Sequence, residues 1–156
     1  MNLTGNERVL DFGCGGGGCA KIIARTLWPQ GYVTCVDTSK YWLNKAKKRL
    51  CKFSNVGFLF ADVSRLGIPE GFYDVVSIHF VLHDIERPKR SETVKILADK
   101  LKEGGRLVIK ERIGKKHGMQ AEEIEKLAKL AHLRREWRQI GKSLYHGPFY
   151  KGCFVK

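Results

Sequence analysis

The stretch from position 8 to position 19 combines a short apolar segment, a run of glycines and the start of an apolar helix. The glycines fill five of six consecutive positions and are Gly13, Gly15, Gly16, Gly17 and Gly18. Glycine lets the backbone turn sharply and approach a ligand closely, and a helix that begins behind it presents unpaired N–H groups. These residue types in this order predict a strand–loop–helix unit that holds an anionic or nucleoside ligand.

Two different glycine patterns fit this loop. Gly13, Gly15 and Gly18 satisfy the G-x-G-x-x-G spacing of dinucleotide-binding loops. Gly13, Gly15 and Gly17 satisfy a G-x-G-x-G spacing, with Asp11 two positions before the first glycine. A plain tight turn is the third alternative, and it is disfavoured because each glycine costs backbone entropy. The loop alone does not choose between the ligand classes.

Acidic residues follow the next two apolar segments. Asp37 comes directly after the segment 32–36 and lies about 20 residues beyond the glycine loop, where a carboxylate can accept hydrogen bonds from ribose hydroxyls. Asp62 follows the segment 56–60. An ionised carboxylate only accepts hydrogen bonds, so Asp62 suits the exocyclic amine of an adenine. We therefore predict that both aspartates take part in binding a nucleoside.

Two histidines lie where a fourth apolar segment ends. Ligands of open α/β sheets bind at the carboxyl ends of the strands, and histidine can act as a general base near neutral pH. His79 and His83 are therefore the predicted catalytic residues. Asp84 follows directly, but three such residues without supporting partners make a weak metal site, and no metal is predicted. The five cysteines include no C-x-x-C pair, so neither zinc nor a disulfide framework is indicated.

The charge of the chain indicates either an anionic partner or a strongly solvated surface. A length of 156 residues fits one domain, taken as 1–156, and the formal net charge is +13. Basic residues are concentrated between positions 40 and 52 with no acid among them, which suits a polyanion such as nucleic acid. A solvated helix face explains the same run equally simply. No segment is apolar enough to span a bilayer and no signal pattern is present, so a cytoplasmic protein is expected.

Apolar periodicity predicts the remaining elements. The third helix is expected to begin near Pro88 and to end at Gly104 and Gly105, followed by a strand over 106–109. The fourth helix is expected over 119–133. Trp42 is placed on the apolar, core-facing side of the second helix. The segment 75–80 is almost uninterruptedly apolar, as in a strand of a parallel sheet.

Five short motifs in this order resemble those of class I S-adenosylmethionine-dependent methyltransferases. They are Val-Leu-Asp-Phe-Gly-Cys-Gly-Gly-Gly at 9–17, Val-Asp at 36–37, Ala-Asp-Val at 61–63, Phe-Tyr-Asp-Val-Val at 72–76 and Leu-Lys-Glu-Gly-Gly-Arg-Leu-Val-Ile at 101–109. The segment 80–84 looks most like the subgroup that acts on small molecules and quinones. The resemblance implies an α/β fold: a Rossmann-like, doubly wound, seven-stranded mixed sheet, mostly parallel with an antiparallel last strand, in three α/β/α layers.

The resemblance also implies S-adenosylmethionine as the cofactor and a set of residues that contact it. The expected cofactor-binding residues are Asp11, Gly13, Gly15, Gly17, Asp37, Thr38, Asp62, Val63, His79 and Phe80. The glycines would let the backbone approach the methionine part of the cofactor, and Asp11 would orient the loop or reach the cofactor's amino group. Asp37 would hold the ribose hydroxyls, and Asp62 with Val63 would hold the adenine. His79 and Phe80 would flank the methionine end and face the methyl acceptor.

Several alternatives stay open at this point. A nicotinamide-dinucleotide domain fits the glycine spacing, but it needs a substrate domain that 156 residues can hardly hold. A non-catalytic cofactor- or RNA-binding module with this core, or an RNA methyltransferase, is the main rival. Positions 40–52 form the most concentrated basic run, but basic residues occur all along the chain and no recognised RNA-binding appendage is present, so a small-molecule acceptor is favoured over RNA. Only positions 1–7 precede the first strand, so the cofactor pocket is expected to be open or covered by a second copy in a homodimer.

Overall fold

The computed structural model describes residues 1–114, 118–144 and 147–156, in which seven strands alternate with four α-helices. The strands are β1 (Arg8–Phe12), β2 (Tyr32–Asp37), β3 (Val56–Phe60), β4 (Tyr73–His79), β5 (Leu101–Arg112), β6 (Arg134–Ser143) and β7 (Gly147–Val155). The helices are α1 (Gly18–Leu27), α2 (Lys40–Leu50), α3 (Arg87–Asp99) and α4 (Ala121–Leu130). Among the described residues, no helix is long and apolar enough to cross a membrane.

The strands form one sheet in the order β3-β2-β1-β4-β5-β7-β6. Strands β1 to β5 pair in parallel, and β7 is antiparallel to both of its neighbours. The predicted mixed sheet with an antiparallel last strand is therefore confirmed. The chain reverses its winding direction between β1 and β4, so the carboxyl ends of these strands open a crevice in which such folds bind ligands.

Two apolar clusters place helices on opposite faces of the sheet. Ile23 of α1 and Leu43 of α2 pack with Val9 and Val33 on one face. The other face is covered by α3 and α4, whose buried residues are Val94, Leu97, Ala98, Ile124, Leu127 and Ala128. Alternate residues of each strand point to opposite faces, which explains why a parallel strand such as β4 is apolar almost throughout. The predicted three-layer arrangement is confirmed.

The boundary between α3 and β5 differs from the prediction. The helix ends at Asp99 and β5 already begins at Leu101, which pairs with Tyr73 of β4. Gly104 has a φ of +73° and lies within the strand rather than ending the helix. Its N–H donates to the carbonyl of Lys156 at 3.3 Å, so the two glycines shape an irregular strand that pairs with the C-terminal residue. The fourth helix is also shorter than predicted and spans Ala121–Leu130.

The outer strands of the sheet, β3 and β6, have different surfaces. Strand β6 exposes four cations, which are Arg134, Arg135, Arg138 and Lys142. Arg135 and Arg138 form ion pairs of 2.7 Å and 2.9 Å with Glu125 of α4. Strand β3 ends in the exposed ring of Phe60 beside the N-terminus of α2.

Candidate active site

A cavity of about 720 Å³ opens at the carboxyl ends of the parallel strands. Seven of the residues predicted to bind the cofactor line it, and they are Gly13, Gly15, Asp37, Thr38, Asp62, Val63 and Phe80. They come from the loops after β1, β2, β3 and β4, which are distant in sequence. The topology brings together what the sequence could only place at separate strand ends.

Asp37 links the tip of β2 to the glycine loop. Its Oδ2 accepts the N–H of Gly15 at 2.8 Å, and its Oδ1 accepts the N–H of Ser39 at 2.8 Å. Each carboxylate oxygen can accept a second hydrogen bond. Asp37 can therefore hold the loop in place and still offer both oxygens to hydroxyl groups in the cavity.

Asp62 caps the short 3₁₀ turn Val63–Arg65 with one oxygen. Its Oδ1 accepts the N–H of Ser64 at 3.0 Å and the hydroxyl of Ser64 at 2.9 Å. The bond from the Ser64 N–H is the main cause that holds the pKa of this carboxyl below its ordinary value. Within the described residues Oδ2 has no such partner, so an ionised acceptor is available at the cavity wall.

Two glycines of the loop have different structural roles. Gly13 has a φ of +68°, and a Cβ built on it would lie 2.5 Å from Cγ2 of Val81. Only glycine allows the loop to touch the segment after β4 at this point. Gly17 precedes α1, and a Cβ there would meet Ala46 and Leu50 of α2 at 3.1 Å and 3.0 Å. Gly17 is not among the cavity-lining residues, so its small size serves the packing of α1 against α2.

Asp11 lies beneath the glycine loop and is 1% exposed. Burial raises the pKa of its carboxyl to about 7, although hydrogen bonds from Ser77 and the backbone of Ala20 oppose the rise. Its Oδ2 has no hydrogen-bond partner among the described residues. Asp11 does not line the cavity. Of its two predicted roles, the position fits orientation of the loop better than contact with a bound ligand.

The buried Asp11 carboxyl predicts a pH-dependent stability. An aspartate in the unfolded chain has a pKa of about 3.9, so between about pH 4 and pH 7 the folded protein binds more protons and its free energy of unfolding falls as pH rises. In Asp11→Asn this contribution is absent. We expect the stability difference between variant and wild type, from urea unfolding, to shift by about 2–3 kcal/mol in favour of the variant between pH 5 and pH 8. A difference independent of pH would contradict the prediction.

His83 is held by a buried glutamate that the sequence did not single out. Glu111, at the end of β5, is 0% exposed. Its Oε1 accepts the N–H groups of Val81 and Leu82, both at 2.6 Å, and its Oε2 lies 2.7 Å from Nδ1 of His83. Burial raises the pKa of Glu111 and these hydrogen bonds oppose the rise. His83 Nε2 lies 3.5 Å from Oδ1 of Asp84.

The two predicted catalytic histidines are neighbours of cavity-lining residues but do not line the cavity themselves. Neither His79 nor His83 is among the lining residues, whereas Phe80, Val81 and Asp84 are. Phe80 adopts a φ of +59°, which turns the chain at the end of β4. Its ring centroid lies 4.7 Å from that of His79. The side chains of Glu111, His83 and Asp84 form a row that runs from the buried core to the lining of the cavity.

Comparison with known proteins identifies the family. Residues 9–105 match a family model described as a methyltransferase domain. The chain belongs to this methyltransferase domain family. A ubiquinone/menaquinone biosynthesis C-methyltransferase from Pseudomonas entomophila is 32% identical over 112 residues, which cover 70% of this chain and 43% of that protein. The chain thus spans less than half the length of the curated relatives of this kind that it matches.

Solved structures show the same fold at lower sequence identity. A SAM-dependent methyltransferase from Methanosarcina mazei superposes with a TM-score of 0.85 at 15% identity, covering 99% of this chain and 94% of that one. The N-methyltransferase NodS from Bradyrhizobium japonicum, in complex with S-adenosyl-L-homocysteine, gives a TM-score of 0.77 at 18% identity, covering 97% and 79%. The predicted Rossmann-like methyltransferase fold is confirmed.

The cavity of this methyltransferase domain is mainly acidic. Its ionisable lining residues are Asp37, Asp62, Asp84, Glu92 and Lys89. The ammonium of Lys89 lies 3.0 Å from Oε2 of Glu86, so its charge is compensated. The chain as a whole has a net charge of +13, so this local excess of carboxylates is opposite in sign to the charge of the whole chain. It favours neutral or cationic ligands over anionic ones.

Trp42 is a lining residue that the helical periodicity placed wrongly. Leu43, Ala46 and Leu50 of α2 are buried as predicted, but Trp42 is 44% exposed and faces the cavity. It lies in the first turn of α2, and side chains of a helix lean toward its N-terminus. The indole therefore projects toward the strand ends instead of the core.

Proposed function

We propose that this methyltransferase domain transfers a methyl group from S-adenosylmethionine to a small molecule. The observation that carries the proposal is the meeting of Asp37, Asp62 and the glycine loop around one cavity. Their order along β1, β2 and β3 falls within the residues that match the family model. Structures of this fold bound to S-adenosyl-L-homocysteine are consistent with the same cofactor class here.

The residues present fit such a cofactor. Asp37 has acceptor capacity on both oxygens for ribose hydroxyls, and Asp62 Oδ2 can accept from the adenine amine. Gly13 and Gly15 allow close backbone approach, and Phe80 closes the opposite wall. The sulfonium of the bound cofactor supplies an activated methyl group, so the protein's task is alignment of an acceptor at about 3–3.5 Å.

The acceptor side of the cavity supports a small and non-anionic acceptor. It is formed by the segment after β4 and by one side of α3, with Asp84, Ile85, Glu92 and Ile96 among its residues. A volume of about 720 Å³ falls in the range of about 300–1,000 Å³ typical of small-molecule sites. The carboxylates would repel a phosphate or an anionic polymer that entered beside the cofactor.

Proton transfer in this proposal would run through the row Glu111, His83 and Asp84. Asp84 is the member that faces the cavity, and His83 lies behind it with Nδ1 bound to Glu111. A hydroxyl or enol acceptor would pass its proton to the Asp84 carboxylate, which leaves the acceptor anionic until it takes the methyl group. The proton would then move from Asp84 to Nε2 of His83, and the Glu111 carboxylate at Nδ1 would stabilise the resulting imidazolium. In this proposal His83 acts on the acceptor only through Asp84. Phe80 and its neighbour His79 shape the wall of the cavity.

The Asp37→Asn variant tests cofactor binding directly. Asn retains one acceptor oxygen but loses the charge, and a hydrogen bond to a charged group contributes about 1.5–3 kcal/mol. We therefore expect S-adenosylhomocysteine to bind about 10- to 100-fold more weakly by calorimetry. The exposed Asp99 at the end of α3 provides a matched control, Asp99→Asn, with unchanged affinity. Equal affinity of the Asp37 variant and wild type would contradict the proposal.

Tritiated S-adenosylmethionine identifies the acceptor class. After incubation with a cell extract, we expect label in the metabolite fraction and not in the RNA or protein fractions. Label confined to RNA would instead support the rival RNA methyltransferase. Intact S-adenosylhomocysteine binding without any transfer would support a non-catalytic module.

The predicted homodimer remains part of the proposal. The cavity is bordered by the exposed ring of Trp42, which a second copy of the chain could cover. A dimer of this kind would bury the mouth of the cavity and restrict access of the acceptor.

A further inference from the structure

Helix α2 and the residues just after it concentrate positive charge on one surface. The cations are Lys40, Lys45, Lys47, Lys48, Arg49 and Lys52, and no acidic residue occurs between Asp37 and Asp62. All six are exposed. Within the part of the chain that the structure describes, none of them forms an ion pair. The protein itself therefore leaves this charge uncompensated.

Exposed aromatic rings are interleaved with these cations. Tyr41 is 60% exposed, Trp42 44% and Phe60 56%. Lys45 Nζ lies 4.5 Å from the ring centroid of Tyr41 and 5.0 Å from that of Trp42. Lys40 Nζ lies 5.2 Å from the ring centroid of Phe60 at the end of β3. We call these six cations and three aromatic residues the α2 basic surface.

The helix arranges part of this surface in a single row. Tyr41, Lys45 and Lys48 follow one another at intervals of four and three positions, which places them on the same side of the helix, and Lys52 lies just beyond the end of α2 at Leu50. The eleven residues of α2 extend over about 16 Å. An extended chain with regularly spaced negative charges can therefore contact several members of the row at once.

The combination of cations and exposed rings on this surface suits a single nucleic-acid strand whose bases are not paired. Proteins that bind single-stranded nucleic acids combine cations along the phosphate backbone with aromatic rings on which bases stack. A duplex keeps its bases stacked internally and would leave the rings unused. A helix that lies in an anionic membrane surface buries a continuous apolar face in the lipid, but the apolar face of α2, with Leu43, Ala46 and Leu50, is buried in the protein core.

We infer that the α2 basic surface binds single-stranded nucleic acid, with phosphates on the lysines and bases on Tyr41 and Phe60. The acidic cavity lining keeps the phosphates of such a strand outside the cavity. The inference is therefore independent of the identity of the methyl acceptor, and it holds whether or not the proposed function is correct.

A charge-matched pair of variants tests the inference. Lys45, Lys48 and Lys52 are replaced together by Gln, and in the control Lys95, Lys126 and Lys129 on α3 and α4 are replaced by Gln. Binding of fluorescein-labelled oligo(U)12 and oligo(dT)12 is measured by anisotropy between 50 and 300 mM salt. We expect the α2 variant to bind at least about 10-fold more weakly, with a salt slope smaller by about 2, because each lost phosphate contact on a single strand removes about 0.7.

A second variant tests the stacking component. Tyr41→Ala combined with Phe60→Ala removes two exposed rings and leaves all cations in place. We expect at least about 30-fold weaker binding at an unchanged salt slope, since stacking contributes about 1–3 kcal/mol per base, two rings are lost, and no counterions are released. Affinity for S-adenosylhomocysteine and the thermal midpoint are measured in parallel to confirm that each variant is folded.

Four results would overturn the inference. They are failure of the wild type to bind either oligonucleotide at 50 mM salt, equal weakening by the control lysine variant, unchanged affinity of the aromatic variant, and binding to phosphatidylglycerol vesicles without binding to oligonucleotides. Preference for oligo(U)12 or for oligo(dT)12 would support the inference and would also identify the type of strand.

Discussion

Glu111→Ala is expected to lower the free energy of unfolding by about 3–5 kcal/mol, the usual cost of removing one member of a buried, hydrogen-bonded pair. The substitution leaves the N–H groups of Val81 and Leu82 without their acceptor, the fully buried carboxylate of Glu111. It also removes the partner of His83 Nδ1. Urea unfolding at neutral pH measures the loss.

Two further variants distinguish the loss of these hydrogen bonds from a general destabilisation caused by any substitution in β5. Glu111→Gln keeps one oxygen for the two N–H groups, so we expect a clearly smaller destabilisation. Glu103→Ala removes an exposed carboxylate from the same strand and is expected to stay within about 0.5 kcal/mol of wild type. A Glu111→Ala protein as stable as the Gln variant would show that the three hydrogen bonds do not hold the segment after β4.

Gly13→Ala is expected to destabilise the protein by roughly 2–4 kcal/mol and to weaken S-adenosylhomocysteine binding at least about 10-fold. Part of the cost is the left-handed conformation, with a φ of +68°. The other part is overpacking, because the new Cβ would lie 2.5 Å and 2.7 Å from the two γ-methyl carbons of Val81. Relief of this clash displaces a wall of the cavity.

The two parts can be measured separately. Gly67→Ala has a similar left-handed φ of +57° with no atom within 4 Å of the new Cβ, so it reports the backbone cost alone. Combining Gly13→Ala with Val81→Ala should give a double variant more stable than the sum of the single losses by about 1–3 kcal/mol, the usual cost of overpacking. Strict additivity would contradict the proposed contact.

The sequence predicted well which residues line the cavity, because strand ends are local features. Asp37 and Asp62 each follow an apolar segment directly, and parallel pairing of those segments is enough to place them at one edge. Thr38 and Val63 then line the cavity as their neighbours. Gly17 could not be placed in the same way, because its contact with Ala46 depends on how α1 crosses α2.

The sequence was less informative about the segment after β4. His79 and His83 lie near the end of β4 as expected, but neither lines the cavity, whereas Phe80 between them does. Glu111 was recoverable in principle, because it continues the period-two alternation of Leu107 and Ile109 and so points into the core. The groups that hydrogen-bond to Glu111 lie in the segment after β4, so the sequence around Glu111 alone could not identify them.

The cationic border formed by β6 has a consequence for how copies of this protein meet. An outer strand presents unpaired N–H and C=O groups that could join the sheet of another molecule. Arg134 and Lys142 form no ion pair among the described residues, and Arg135 and Arg138 share the single carboxylate of Glu125, so this border keeps a positive charge that would face the same charge on an incoming copy. Electrostatic repulsion along β6 opposes the edge-to-edge pairing of sheets from different copies into fibrils. Dissolved salt weakens this repulsion because it screens the charges.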